Sequence, residues 1–311
     1  MRAKLVSVAT EVSYAKSAET VTGDQVSRQC VRECILKLGA IEKRPQPYEP
    51  KRKVKELHLF ADEDHVHMQR EGRAKGKKSR MVPLVTVTEG IEKESKGRNR
   101  TRNAMHFVDE NFDTKALWKS VEGYIGASYD IESIEKIYIH ADGGKWITNG
   151  LASFSNVIKV MDGFHLEKYL RRISARFPKK NLRIRFCKGF EQNDRKKAAM
   201  EKGDRKKLDM LLQEMYARSQ DKKQIEYTTK LGRYLTENFE EIRNRLKSDT
   251  VGSCTEGQIS HVLSERFSRD PMGWSEECLG KLSQARVYLK NGGTLTREDF
   301  KEKDEKLNGK E

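Results

Sequence analysis

No apolar run in the chain approaches the roughly 20 residues that a membrane-spanning helix requires. The 311 residues hold only five cysteines (Cys30, Cys34, Cys187, Cys254, Cys278), odd in number and scattered. That excludes a disulfide framework and fits a reduced cytoplasm. Cys30 and Cys34 could share a helix face, but a zinc site needs about four ligands and no second pair lies near. No secretory leader is expected either, because the first residues form a mixed helical pattern. Proline is scarce, at six residues, and three of the six fall in "EKRPQPYEPKRK".

Negative charge is also in short supply. The chain carries 62 Lys+Arg against 47 Asp+Glu, a formal net charge of +15. Such an excess favours an anionic partner, and nucleic acid is the commonest one for a soluble basic chain. The plain alternative is a soluble protein with long charged helices. At 36% hydrophobic residues the chain is globular rather than disordered.

The order of elements follows from periodicity. Residues 1–41 read as helices. "SYAKSAETV" is followed by "TGDQVSRQCVRECILKLG", in which Val26, Val31, Ile35 and Leu36 keep a helical period and Gly39 closes it. Two short helices around a tight turn resemble a helix-turn-helix, with Arg28 on the face that would touch DNA; an ordinary helical hairpin reads the same way. Residues 42–53, rich in proline and charge, read as a linker. Strand patterns then begin. "VKELHLFAD" alternates and ends at Asp62, "HVHMQR" follows, and "MVPLVTVTEGI" is a Val- and Thr-rich third strand. Next come the helix "DTKALWKSVEGYIGASY", capped by Asp113, the strand "KIYIHAD" ending at Asp142, a short helix, the strand "NVIKVMD" ending at Asp162, and a further helix. Three meandering strands followed by alternating helices and strands predict an α/β fold with a mixed sheet, the order of the ribonuclease H fold. Residues 54–187 are the first part of that core, 188–250 a charged all-helical insertion, 251–295 the completion of the core, and 296–311 a charged tail.

Asp62 and Asp142 each close a predicted strand, and adjacent strands would set their carboxylates side by side. Like charges so close repel unless a cation sits between them. Two divalent ions about 4 Å apart would relieve this, and magnesium prefers carboxylate oxygen. Glu256, opening a helix behind "GSCT", is the candidate third acid; Glu265, further along, reads as solvated. Each acid alone could be a cap or turn residue. Asp162 could cap the helix it precedes, and His165 could be a packed core histidine. "GRAKGKKSR" and "KGRNRTR" are basic turns whose Lys77, Lys78, Arg80, Arg100 and Arg102 would contact phosphate, or form a solvated charge run. Arg266, on the Glu256 helix, is a further candidate phosphate contact. Trp274 could stack on a base but reads better as core, and Trp146 is expected beneath the sheet.

Together "FADEDHVHMQ", "IHADGGKWI", "VMDGFHLEKYL" and "CTEGQISHVLSERFSRDPMGWS" resemble bacterial insertion-sequence transposases of the ISLre type, relatives of the Mutator-like DDE transposases and also catalogued as a family of unknown function. The resemblance spans roughly residues 5–290 and implies a ribonuclease H-like core with a helical insertion before the last acid. The implied triad and metal ligands fall on Asp62, Asp142 and Glu256, with two Mg2+ or Mn2+ ions. Asp64 is the runner-up for the first acid, and the D-x-x-H signature falls on Asp162 and His165. The implied function is metal-dependent DNA strand cleavage and strand transfer by a homo-oligomer on element ends and target, in the cytoplasm at the nucleoid. Such transposases carry a longer region before "VATEVSYAKSAE", so an amino-terminally shortened copy is expected. The competing readings are a non-catalytic DNA-binding remnant and a ribonuclease H-like repair nuclease.

Overall fold

The structure is a computed structural model. It describes residues 1–39, 41, 47–69, 79–95, 98–151, 154–166, 168, 205–245, 254–269 and 273–300. No described helix is long and apolar enough to cross a membrane. The four described cysteines are free thiols.

A five-stranded mixed sheet organises the chain. Its strands are β1 (Glu56–His67), β2 (Ser79–Thr88), β5 (Met105–Phe107), β6 (Lys136–Ala141) and β7 (Val157–Met161). They lie in the order β5-β2-β1-β6-β7, while β3 (Ile91–Ser95) and β4 (Arg98–Thr101) form a separate antiparallel ribbon. β1 pairs antiparallel with β2 and parallel with β6, and β6 pairs parallel with β7. The expected meander is therefore present, but its first two pieces are one strand. β1 runs five residues past Asp62 instead of ending there, because β2 continues to pair with it as far as His67. The small β3–β4 ribbon was not anticipated; its charged residues lack the alternation that marks a half-buried strand.

The period-2 alternation of β1 divides the molecule into two cores. Leu57, Leu59 and Ala61 face α4 (Thr114–Ser128). That helix begins where expected, with the Asp113 carboxylate accepting from the amides of Lys115 and Ala116. Its apolar stripe, including Leu117, Val121, Tyr124 and Ile125, closes over the sheet. Val66, on the opposite face, joins Val82 and Leu84 of β2 in the second core.

That second core is built mainly from helices remote in sequence. α1 (Arg2–Ala9), α2 (Tyr14–Thr22) and α3 (Arg28–Leu36) pack with α10 (Glu276–Lys290) and with the helix that carries Glu256. Ser13 and Ser27 cap α2 and α3. The amino-terminal helices are thus part of the main hydrophobic core. The Lys281 ammonium donates to the Leu36 and Leu38 carbonyls, and Arg286 donates to the Thr10 carbonyl. The described end of the proposed linker is also tied down: Tyr48 packs edge-on against Tyr129, and Arg52 pairs with buried Glu89 at 2.8 Å. Residues 42–46 lie outside the described residues.

The described part of the expected helical insertion consists of α6 (Arg205–Ala217), α7 (Lys222–Glu237) and α8 (Phe239–Arg245), with no strand among the described residues of 205–245. It sits against the β7 edge of the sheet. Asn244 Nδ2 donates to the Lys159 carbonyl at 2.9 Å, and the Tyr234 hydroxyl lies 3.3 Å from Met161 Sδ.

Arg266 is not a phosphate contact. Only 2% of it is exposed; its guanidinium lies 4.7 Å from the Trp274 ring centroid, and Nε donates to the Ala9 carbonyl at 2.8 Å. A basic residue on a helix reads as a surface cation from sequence, but here the aromatic face and a helix-terminal carbonyl retain it in the core. Trp274 is core, as its sequence context suggested. Arg266→Ala is expected to destabilise the fold by about 3 kcal/mol, through the lost cation–π contact, the lost charged hydrogen bond and the emptied volume. Urea denaturation measures this. An unchanged midpoint, with weakened DNA binding instead, would contradict the buried role.

Candidate active site

Two registers decide where the acids meet. In the β1–β6 pair, Phe60 lies opposite His140. Asp62 and Asp142 each follow two residues beyond this pair, and the Asp142 charge acts on the Asp62 carboxyl. In the β6–β7 pair, Ala141 lies opposite Met161, and the Asp162 amide donates to the Ala141 carbonyl at 2.8 Å. One step further, Asp142 comes beside Asp162. Period-2 alternation then turns all three toward one face, at one level of the sheet.

The fourth acid comes from the other side. α9 (Thr255–Ile259) carries Glu256 in its first turn and runs along β1. The helix continues through a π-helical turn, Ser260–Ser264, and a last α-helical turn, Glu265–Phe267. Arg286 donates to the His261 and Val262 carbonyls inside the π turn, so its distorted ladder keeps satisfied acceptors. Glu256, Asp62 and His165 each bring one ligand atom to a common point, all within 4.8 Å of one another. Glu265 turns outward to His261, at 2.8 Å, and to Arg269. The two glutamates thus part as the sequence suggests, one toward the sheet and one toward solvent.

Asp62 is 5% exposed, and its Oδ1 accepts from the Glu63 amide. Burial pushes its carboxyl up to about 7; the nearby charges of Asp142 and Glu63 add to the rise, and His165 opposes it. Asp64, two residues on and on the same face, is buried too, but its carboxylate accepts from the Ser268 hydroxyl. Asp62, not Asp64, is therefore the first acid of the cluster. Asp142 is half-buried, and its Oδ1 accepts from the Gly144 amide at 2.9 Å. Gly143 there has φ +92, a conformation that side chains disfavour, and a Cβ would sit 2.8 Å from Asn238 Oδ1. The turn after Asp142 therefore needs glycine both for its backbone and for the approach of α7's carboxyl end.

Asp162 does not join the carboxylate cluster. Its Oδ2 accepts from both the amide and Nδ1 of His165, each at 3.1 Å. It thus acts as the cap of the helix that opens at residue 163 and as the partner of the imidazole. That hydrogen bond raises the His165 pKa to about 9, helped by the charges of Asp62, Asp162 and Asp142 and opposed by burial. Sequence alone gave His165 a signature role or a place in the core; the structure puts it inside the acid cluster.

The other predicted contacts scatter. Arg28 is exposed at the start of α3, and Arg100 is exposed on β4. Arg80 pairs with Glu276 at 3.0 Å and lies over the Phe112 ring. Arg102 donates to the Glu89 carbonyl. Lys77 and Lys78 lie outside the described residues. Trp146 is half-buried, and its indole donates to Glu63 Oε2 at 2.7 Å. Sequence reasoning missed Arg245, whose guanidinium covers Gly163 so closely that a Cβ there would overlap it. Its position at the end of a charged helix gave no signal of proximity to the acids.

The donor set suits a hard divalent cation. Carboxylate oxygens predominate, and one carboxylate is buried against like charges. Trans ligands of an octahedral ion with about 2.1 Å bonds lie about 4.2 Å apart, so the observed cluster needs only a small contraction.

A family model described as "Uncharacterised protein family (UPF0236)" matches residues 1–304. The chain belongs to UPF0236. Among its relatives are two UPF0236 proteins of Caldanaerobacter subterraneus subsp. tengcongensis, 34% and 33% identical over 296 residues. Each alignment covers 95% of this chain, but only 59% and 56% of the relative. The chain thus spans less than three-fifths of the length of these UPF0236 relatives.

Asp62 tests the electrostatics. Its folded pKa lies above the ordinary carboxylate value, so its ionisation opposes folding, and stability is lost as pH rises from about 4 through 7. His165, with a raised pKa, contributes stability that is full below about 6.5 and lost as pH rises through about 9. In chelator at about pH 8, Asp62→Asn is therefore expected to melt a few degrees above wild type, with the gap closing toward about pH 4. A variant that melts lower at the alkaline end would show that the Asp62 carboxylate stabilises the fold.

Proposed function

We propose that this chain is the catalytic part of a DDE-type transposase, which cleaves DNA strands at element ends and transfers them to a target in a metal-dependent reaction. The observation that carries this reading is the meeting of Asp62 and Glu256, from a strand and a remote helix, with ligand atoms within 4.8 Å of each other and of His165, while Asp142, just after β6, lies near enough for its charge to raise the Asp62 pKa. The strand order β5-β2-β1-β6-β7, with its antiparallel and parallel pairs, supports a ribonuclease H-like reading of the sheet. The helices before the Glu256 segment agree with the insertion expected of such a transposase.

Bound at the cluster, Mg2+ or Mn2+ would supply Lewis-acid activation and neutralise charge building on the phosphodiester. Asp62, Asp142 and Glu256 would hold it. Buried Asp62 fixes the inner wall, and half-buried Asp142 and exposed Glu256 form the open side where a phosphate backbone could enter. α2 and α3 would read DNA as a helix-turn-helix through Arg28, while exposed Arg100 would meet phosphate. The net charge of +15 supplies long-range attraction.

One relative's name joins eleven loci of a single genome. That multiplicity is expected of a sequence that spreads by copying or moving its own gene, and it favours transposition over a repair nuclease.

Asp142→Asn removes a ligand and no basic group. It is expected to abolish magnesium-dependent strand cleavage while leaving DNA binding close to wild type. With about six phosphate contacts, binding by both proteins should weaken roughly a thousandfold between about 50 and 200 mM salt. Cleavage that survives the change would remove Asp142 from the mechanism. Loss of binding alongside cleavage would make it a structural residue. A wild-type chain that binds but never cuts would point to a non-catalytic remnant.

A further inference from the structure

The metal reading above accounts for the acids but leaves His165 unexplained. Three observations bear on it. One ligand atom of His165 lies within 4.8 Å of ligand atoms of both Asp62 and Glu256. Its Nδ1 is engaged by Asp162 Oδ2 at 3.1 Å, and the same oxygen holds its backbone amide. Asp162 itself is 1% exposed, its backbone amide donates a hydrogen bond to the Ala141 carbonyl, and burial holds its carboxylate as an anchor.

A histidine whose one ring nitrogen donates to a buried carboxylate presents the other, with its lone pair, in a fixed direction. This carboxylate–histidine pairing is the usual support of a metal-bound imidazole. We propose that Nε2 of His165 is a metal ligand, oriented by Asp162, so that the centre is a mixed oxygen–nitrogen site instead of an all-carboxylate one. The proposal rests on the metal-site reading above and adds a ligand to it.

The chemistry has a consequence for metal choice. Magnesium favours oxygen ligands and its own waters, whereas manganese and later transition ions accept imidazole nitrogen readily. A nitrogen ligand therefore biases the site toward Mn2+. Asp162 becomes a positioning residue that fixes the tautomer and ring direction of His165. Phe164, 46% exposed, packs edge-on against the imidazole and limits its swing on the solvent side.

The test uses the full chain without DNA. Mn2+ and Mg2+ affinities are measured calorimetrically for wild type, His165→Gln, Asp162→Asn and Asp62→Asn, and nitrogen coupling to bound Mn2+ is read by pulsed electron paramagnetic resonance. Wild type is expected to show a 14N coupling that His165→Gln loses, with Mn2+ affinity down about 10–100-fold and Mg2+ affinity changed far less. Asp162→Asn should keep the coupling but weaken Mn2+ binding. Mn2+ binding that depends on Asp62 but shows no nitrogen coupling in wild type would overturn the ligand role and leave the carboxylate site standing. Coupling that persists in His165→Gln would overturn it too, because another histidine would then be the source. Binding indifferent to Asp62→Asn would overturn the metal-site reading itself. The wild-type spectrum decides the ligand question even if a variant fails to fold.

Discussion

The parallel pairing of β1, β6 and β7 is the constraint on which the rest of the site depends. Parallel strands in this register bring residues 62, 142 and 162 to one level and one face. Reversing either pairing, or slipping it by one residue, would send at least one aspartate to the opposite face or the other end of the sheet. The hydrophobic alternation of β1 fixes the register from below: Leu57, Leu59 and Ala61 must meet α4, which turns Asp62 to the other side. The carboxylates are thus gathered by the burial of aliphatic side chains, a stronger force than their mutual repulsion. Each such side chain contributes about 1.5–3 kcal/mol when fully buried.

The second core supplies the remaining acid. Glu256 stands on a helix held by α1, α3 and α10, and its position depends on buried cations. Arg286 binds carbonyls of the π turn and of the α1 end, and Arg266 binds the α1 end while stacking on Trp274. These guanidiniums tie segments more than two hundred residues apart, so the amino-terminal helices are also scaffold for the candidate catalytic helix. On the opposite flank, α8 covers β7 and places Arg245 over Gly163. Among the described residues, Glu256 is exposed and Asp142 and His165 are half-buried, so this side of the site approaches solvent.

Much of this was legible in the sequence, for physical reasons that differ by element. The strands around Asp62, Asp142 and Asp162 were visible because alternating or continuous apolar runs end in acids and glycines. The α4 start was visible because Asp113 has the chemistry of a cap. Glu256 was separable from Glu265 because it opens its helix. Four things were hidden. The continuation of β1 past Asp62 depends on pairing with a strand whose register no local pattern reveals. The burial of Arg266 depends on Trp274 and on the end of α1, neither of which is a local neighbour. The inward place of His165 depends on Asp162 acting as cap and ring partner at once, and the three-residue spacing only permits this arrangement. The charged β3–β4 ribbon lacks the apolar alternation by which strands are recognised.

The central claim is that residues from β1, β6, α9 and the helix after β7 form one divalent-metal centre. Diffraction from crystals soaked in Mn2+, with anomalous difference maps, tests it most directly. A strong peak is expected in contact with Asp62, Glu256 and Nε2 of His165, with Asp142 completing the shell. A protein that takes up Mn2+ only at other positions, with these side chains unmoved and unliganded, would contradict the account.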